Sequence, residues 1–401
     1  MKVSLYYVSI IYLLIIGSSI VTQATGMDPE DRQNSHKILK FTNVTKNLTL
    51  NENDSVYPQI ASSSNNVYVV WQESVKTKGS RNYDIFFKKS NDSGNIFGSP
   101  VNLSNNNGFS EHPQIACVGN HIYVVWVDNS SGARKVMFTK SSDSGNTFTN
   151  NIVLSQDSID PYHVEVAAEG KNVYVIWNSL YTQMLNKVLL SKSDDAGKTF
   201  GELTVVGTAD VNTFPKIAAD AGRYYISWDK KNNKDTGITF VKSSMHNSTY
   251  NDTSISILNN EGTDGGESQI FASDRMVLVS WTSKLPIDKK YVYIKSSENN
   301  GDDFGNTIQL PSTNSSNVES LIFNNNIYVV WEDNVSGNHD IFLIKARVNE
   351  TSFDKPVNVS DNSGISECPS VTVSKNVIHV VWEDNTLANH EILYKRVTEN
   401  F

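Results

Sequence analysis

Acidic, amide and histidine side chains recur at matching positions in two stretches near the C-terminus. The first stretch contains Glu332-Asp333-Asn334 and then Asn338-His339-Asp340. The second repeats this order 51 positions later, as Glu383-Asp384-Asn385 and then Asn389-His390-Glu391. Clustered carboxylate and amide oxygens suit Ca²⁺, a hard ion that prefers oxygen ligands. Imidazole together with carboxylate suits a transition-metal ion. Both stretches therefore contain the residue types of a binding site.

If the two stretches are neighbours in space, they predict one site between them. The candidate ligand-binding residues are Asp333, His339, Asp340, Asp384, His390 and Glu391. The candidate ligands of a Ca²⁺ cofactor are Glu332, Asp333, Glu383 and Asp384.

Other interpretations of these residues stay open. The aspartate could cap its own loop, or two carboxylates could act as general acid and base of a glycosidase. His112 and His163 occupy equivalent positions in two earlier stretches, and we interpret them as loop residues rather than ligands.

A repeat of about fifty residues must position these side chains. The tryptophans share one phase of it, at spacings of 50 to 55 residues: Trp71, Trp126, Trp177, Trp228, Trp281, Trp331 and Trp382. Each repeat contains four short apolar runs, here named strands a to d, separated by Gly-Asn, Asn-Asn or Ser-Gly turns. Four strands per repeat, with no helical periodicity, predict an all-β, seven-bladed β-propeller.

The two chain ends predict how the ring closes. The seventh repeat stops at Phe401 after three strands, and residues 38–50 resemble the missing fourth strand. We therefore expect an N-terminal strand to complete the last blade and to hide its open edge. The propeller domain is expected to span residues 37–401.

The turn between strands c and d carries a recognisable motif, Ser-x-Asp-x-Gly-x-Thr-aromatic. Its residues are Ser90, Asp92, Gly94 and Phe97; Ser141, Asp143, Gly145 and Phe148; and Ser193, Asp195, Gly197 and Phe200. A looser copy spans residues 297–304. The motif resembles the Asp-box of the sialidase-like (BNR-repeat) β-propeller superfamily. Its expected role is structural, because the aspartate can bond its own turn and glycine can adopt positive φ.

The same resemblance implies a catalytic set that this sequence does not reproduce. Sialidases of this kind use three arginines to hold a substrate carboxylate, a tyrosine–glutamate pair and an acid/base aspartate. The Phe/Tyr-Arg-Ile-Pro motif that usually carries the first arginine is absent. Only Arg81 and Arg134 fall in loops that can approach the functional face. We therefore assign no catalytic residues.

The N-terminus predicts export. Residues 1–24 have the basic start, apolar run and small-residue site of a signal peptide, or alternatively of an uncleaved anchor. Residues 25–36 read as a flexible lead-in. A secreted or cell-surface location follows, with membrane contact only through an uncleaved segment. Twelve Asn-x-Ser/Thr sequons would permit glycosylation.

The net charge and the cysteine content restrict the classes of partner and the covalent structure that we expect. A net charge of −9 argues against nucleic acid, which requires a basic face. Cys117 and Cys368 are expected to be free thiols, with one disulfide as the alternative. We expect a monomeric, non-catalytic binding or scaffold module for a glycan or an extracellular protein. The alternative is a glycoside hydrolase that uses carboxylates on the axial face.

Overall fold

Six four-stranded antiparallel sheets and one of five strands form seven successive blades in a computed structural model. It describes residues 39–41, 44–77, 80–155, 160–180, 185–210, 213–231, 236–243, 254–258, 264–284, 289–348 and 353–399. The predicted signal peptide and lead-in lie outside these residues. The described part contains only β-strands, and so it includes no helix able to cross a membrane.

The first four blades are built as follows. Blade 1 contains β3 (Ser55–Ser63), β4 (Asn66–Thr77), β5 (Ser80–Ser90) and β6 (Val101–Asn102). Blade 2 contains β7 (Ser110–Val118), β8 (His121–Asp128), β9 (Lys135–Ser141) and β10 (Ile152–Val153). Blade 3 contains β11 (Pro161–Glu169), β12 (Asn172–Leu180), β13 (Leu185–Ser193) and β14 (Thr204–Asp210). Blade 4 contains β15 (Lys216–Asp220), β16 (Arg223–Lys231), β17 (Thr236–Lys242) and β18 (Ser254–Ile257).

The remaining blades repeat the pattern. Blade 5 contains β19 (Asp264–Ser273), β20 (Met276–Lys284), β21 (Lys290–Ser297) and β22 (Ile308–Gln309). Blade 6 contains β23 (Ser315–Phe323), β24 (Asn326–Asp333), β25 (Asp340–Arg347) and β26 (Val357–Asn358). Blade 7 contains β27 (Ser366–Ser374), β28 (Val377–Asp384) and β29 (Glu391–Glu399), together with β1 (Leu39–Phe41) and β2 (Lys46–Asn47).

The predicted seven-bladed propeller is therefore confirmed, including its closure. Both N-terminal strands, β1 and β2, pair antiparallel with β29, the last strand of the chain. Asn47 pairs with Leu393 in β29, just as Asn102 pairs with Phe86 in blade 1. Since the strands from the two chain ends share backbone hydrogen bonds, the outer edge of blade 7 is covered.

The apolar core lies between the blades. Each of seven hydrophobic clusters combines side chains of two adjacent blades. The second strand of each blade has both faces in such clusters, and residues 122–127 of β8 are all buried. All seven tryptophans are 3% exposed or less, and each packs towards the preceding blade. The repeated tryptophan therefore belongs to the ring interfaces, not to ligand binding.

The c–d turns join neighbouring blades as well. In blade 2, the Asp143 carboxylate accepts hydrogen bonds from its own turn, including one from Thr147 N at 2.9 Å. These bonds lower the pKa of Asp143. Gly145 has φ +76°, as the motif requires. The Phe148 ring packs edge-on against Phe87 of blade 1, at 4.9 Å between ring centroids. The aromatic residue thus fills the interface with the preceding blade.

The two cysteines are free thiols, as expected. Cys117 lies in β7 and packs against the core between blades 1 and 2. Burial raises the pKa of its thiol to about 12. Cys368 lies in β27, on blade 7.

We predict that Gly145→Ala destabilises the fold more than Gly222→Ala does. Both glycines have nearly the same φ, +76° and +75°, so alanine costs roughly 1–2 kcal/mol of backbone strain at either position. A Cβ at Gly145 would also lie 2.7 Å from Cζ of Phe87, whereas nothing lies within 4 Å at Gly222. Overpacking adds about 1–3 kcal/mol. Denaturant unfolding of both variants measures the difference, and equal losses would contradict the tight blade interface.

Candidate functional site

One backbone irregularity recurs where the innermost strands approach the propeller axis. In six blades the first strand contains a β-bulge whose residue has φ near +50°. These residues are Tyr57, His112, His163, Glu267, Asn317 and Cys368. Phe214 occupies the equivalent position in blade 4. A bulge redirects a side chain out of the strand's alternation, so each blade presents one side chain at this level.

These side chains surround a cavity of about 450 Å³ at the mouth of the axis. Its wall contains Phe214 and five of the bulge residues, Tyr57, His112, His163, Asn317 and Cys368. A concave, partly aromatic cavity with a few polar groups is the usual form of a ligand site. We call it the axial cavity.

One half of the rim is aromatic. The ring centroids are 4.6 Å apart for Tyr57 and His112, 5.7 Å for His112 and His163, and 4.0 Å for His163 and Phe214. Burial lowers the pKa of His112, and lowers that of His163 to about 3. Both imidazoles are therefore neutral near pH 7, and each can donate and accept a hydrogen bond. We call these four residues the aromatic arc.

Polar residues line the cavity below this rim. The Lys216 ammonium contacts the Glu165 carboxylate in an ion pair. Lys216 is the only lysine or arginine in the described wall of the cavity. Across the axis, Glu319 accepts a hydrogen bond from Val371 N at 3.1 Å. Desolvation nevertheless raises the pKa of Glu319 to about 7. The cavity therefore offers no unpaired cation to an acidic ligand.

Acidic residues lie next to the bulge residues Asn317 and Cys368, outside the described wall of the cavity. Nδ1 of His339 lies 2.8 Å from Oε1 of Glu332 and 3.6 Å from Oε1 of Glu367. The equivalent pair in blade 7 is wider, with 3.6 Å between Nδ1 of His390 and Oε1 of Glu383. Burial, and then the charges of four glutamates, raise the pKa of the nearby Cys368 thiol. This thiol is therefore not a reactive thiolate. We call the group of Glu267, Glu332, Glu367 and Glu383, with His339 and His390, the acidic arc.

The two aspartates that follow tryptophans bond to their own blades. Asp333 accepts hydrogen bonds from Thr313 N, Ser315 Oγ and Val335 N at 2.9 to 3.0 Å. Asp384 accepts equivalent bonds from Asn362 Nδ2, Ser366 Oγ and Thr386 N at 2.6 to 2.9 Å. Burial opposes ionisation of both aspartates, yet these bonds hold the pKa values below the usual range. Asp128 bonds in the same way in blade 2.

The acids that begin the third strands hold the fourth strands. Asp340 accepts from Asn358 Nδ2 and Ser360 Oγ, each at 2.8 Å. In blade 7, Glu391 accepts from the Thr49 hydroxyl, which belongs to the N-terminal segment. Asn358 and Ser360 form one of the sequons, so this Asn-x-Ser has a structural partner. Glycosylation itself stays a prediction.

The structure thus separates residues that are neighbours in sequence. Adjacent strand residues point to opposite faces, and Glu332 faces His339 while Asp333 bonds the preceding loop. Among the described residues, Glu332, His339 and Glu367 form the group whose ligand atoms converge. The calcium set of Glu332, Asp333, Glu383 and Asp384 stays a prediction, although these four carboxylates do not meet in one cluster.

The sequence analysis missed Tyr57, Phe214, Asn317 and Cys368. One signal could have found them. Each is followed by Pro or Val and then by a polar residue that faces inward in the first strand. His112 and His163 stand at the same position in their repeats.

Arginines do not line the described axial cavity. Arg134 is 47% exposed and lies 4.0 Å from Glu111. Arg396 contacts Asn95 in a c–d turn, which places it on the opposite face, as expected. The side chain of Arg81 lies outside the described residues.

Comparison with known proteins places the fold. No family model and no curated protein matches the chain. A solved ulvan lyase, a polysaccharide lyase, matches with TM-score 0.59 and 9% identity over 86% of this chain and 94% of its own. A Dyadobacter fermentans protein of unknown function matches with TM-score 0.55 and 12% identity, over 90% of this chain and 100% of its own. Trypanosoma rangeli sialidase matches with TM-score 0.51 and 12% identity, over 90% of this chain and 58% of its own.

The fold is that of sialidase-like propellers. At these identities the likeness concerns the backbone architecture alone.

We predict that Glu319→Gln changes how stability depends on pH. The unperturbed carboxyl ionises near pH 4.5, but the folded protein keeps this proton up to about pH 7. The folded state therefore binds more protons between these values, and the free energy of unfolding falls as the pH rises through them. Glutamine does not titrate, so the variant gains at most about 3 kcal/mol over the wild type across this window.

Urea unfolding of both proteins at pH 5, 6, 7 and 8 measures this effect. A further measurement at about pH 3 gives the baseline, because both side chains are then uncharged in the folded and the unfolded state. A difference that stays constant across the window would show that Glu319 ionises normally.

Proposed function

We propose that the chain is an exported, non-catalytic propeller that binds a glycan in the axial cavity. The observation that carries this is the aromatic arc of Tyr57, His112, His163 and Phe214. Aromatic rings offer apolar faces to the C–H surfaces of a sugar, and their polar tips stay available for hydrogen bonds. The neutral imidazoles can donate to, and accept from, sugar hydroxyls.

The charges around the cavity favour a neutral glycan. Recognition of a carboxylate normally uses a guanidinium or ammonium group that is free to pair with it. Lys216 is already paired with Glu165, and the carboxylates of Glu332 and Glu383 lie next to the wall residues Asn317 and Tyr57. Like charges brought together across an interface cost binding energy. An acidic sugar is therefore a poorer ligand than a neutral one.

Two other considerations support this proposal. Solved structures with this fold are named sialidases and polysaccharide lyases, so the architecture is used by proteins that act on carbohydrates. The N-terminal apolar segment would deliver the domain outside the cytoplasm, as a secreted or cell-surface monomer. A protein ligand would instead be indicated if no glycan bound.

We predict that Phe214→Ala raises the Kd for a retained neutral glycan about tenfold. An aromatic contact is worth roughly 0.5–1.5 kcal/mol, and the lost cavity wall adds to this. The matched control is Phe109→Ala, because Phe109 is 40% exposed, close to the 37% of Phe214, but contacts Tyr83 away from the cavity. A neutral and sialylated glycan pool passed over the immobilised protein supplies the ligands. Equal affinities in both variants, or retention of sialylated glycans alone, would contradict the proposal.

A glycoside hydrolase is the second candidate, and one observation favours it. Burial raises the pKa of Glu383, while the Tyr57 amide, which donates to Oε2 at 2.9 Å, acts in the opposite direction. A carboxyl with a raised pKa beside Glu332 and Glu367 is the arrangement of a general acid with a partner base.

Mass spectrometry of the same glycan pool distinguishes the two functions. A binding module returns every glycan intact. If trimmed glycans form and Glu383→Gln abolishes them without loss of fold, the hydrolase replaces the binding module. Glutamine keeps an acceptor for Tyr57 N, so the variant removes the proton donor and little else.

A further inference from the structure

Three metal-binding side chains converge where blade 6 meets blade 7. Nδ1 of His339 lies 2.8 Å from Oε1 of Glu332 and 3.6 Å from Oε1 of Glu367. All three ligand atoms lie within 4.8 Å of one another. Ligands of a tetrahedral Zn²⁺ ion, bonded at about 2.1 Å, are about 3.4 Å apart. The two measured spacings lie on either side of this value.

Hydrogen bonds hold the Glu332 carboxylate in position. Ser316 Oγ donates to its Oε1 at 3.1 Å, and Asn317 Nδ2 donates to its Oε2 at 2.8 Å. Glu332 is buried, whereas His339 and Glu367 are 44% and 34% exposed at their side chains. Metal ligands are commonly oriented by such outer hydrogen bonds. The site therefore combines one fixed ligand with two that solvent, and an entering ion, can reach.

Basic side chains do not compensate the negative charge here. Among the described residues, the cationic groups within ion-pair distance of Glu332, Glu367 and Glu383 are the imidazoles of His339 and His390. A histidine compensates a carboxylate only when it is protonated. A divalent cation would supply the missing positive charge at any pH at which the carboxylates are ionised.

The neighbouring blade contains an incomplete copy of the group. His390 lies beside Glu383 as His339 lies beside Glu332, but the position equivalent to Glu367 is Val56 in blade 1. Of these two junctions, only that of blades 6 and 7 therefore combines the histidine and first glutamate with a third ligand. This difference offers a control within the same molecule.

We propose that Glu332, His339 and Glu367 bind one Zn²⁺ ion. Zn²⁺ accepts a mixed set of imidazole and carboxylate ligands, and three protein ligands leave one position for water or another ligand. Ca²⁺ is less suited, because it takes six to eight oxygen ligands and this group includes a nitrogen. Glu332 and His339 belong to blade 6 and Glu367 to blade 7, so the ion links two blades. The proposal does not depend on glycan binding.

Calorimetric titration of ZnCl₂ into the full chain, after removal of metals with a chelator, tests the proposal. We expect one ion per chain and a melting temperature that rises with Zn²⁺, because the ion binds the folded state. His339→Ala and Glu367→Gln should each raise the Kd for Zn²⁺ at least about tenfold. His390→Ala, which alters the incomplete copy, should leave the Kd unchanged.

Each alternative result has a definite meaning. No Zn²⁺ binding by the wild type would show that the three side chains form only an ion-paired triad, and would overturn the proposal. Equal weakening by His390→Ala would assign the ion to scattered surface histidines and would also overturn it. Tighter binding of CaCl₂ than of ZnCl₂ in the same titration would replace it with a calcium site. Circular dichroism shows whether each variant keeps the fold, and the three altered side chains are all partly exposed.

Discussion

The burial of each blade face against a neighbouring blade is the interaction on which the rest of the molecule depends. A four-stranded sheet with apolar residues on both faces of its inner strands cannot satisfy both faces alone. In the ring, each blade packs both faces against its two neighbours, and blade 7, which contains strands from both chain ends, packs against blade 1. Leu48 from the N-terminal segment packs with Val381 and Ile392 of blade 7 and with Trp71 of blade 1. If the ring were open, the chain would expose two such faces and an unpaired strand edge.

Ring closure also creates the candidate site. Because seven equivalent strands are held around one axis, a bulge repeated at one strand position places a side chain from nearly every blade at the cavity mouth. The backbone is nearly symmetric there, but the side chains are not. Tyr57, His112, His163 and Phe214 form an aromatic arc, and the glutamates of the last three blades lie next to the other wall residues. Function is thus encoded by variation at positions whose geometry is repeated.

Carboxylates in this protein divide into two groups that sequence alone does not separate. Asp333 and Asp384 accept three or more hydrogen bonds within their own blades, and Asp340 holds a fourth strand. Buried carboxylates that accept several hydrogen bonds in this way stabilise loops. Glu332 and Glu383, each one residue before such an aspartate, face the other direction. The pleat of a β-strand therefore decides which member of each acidic pair can meet a ligand.

The sequence by itself determined the architecture. Seven tryptophans in one phase, four strand-like runs per repeat and a missing last strand were sufficient for a closed seven-bladed ring, because these are local patterns that repeat. Tertiary structure decided the site. The bulges that present Tyr57 and Cys368 depend on strand register, and the approach of Glu367 to His339 joins different blades. Contacts of this kind depend on the angle between sheets and on the direction of each side chain. The spacing of residues along the chain determines neither of them.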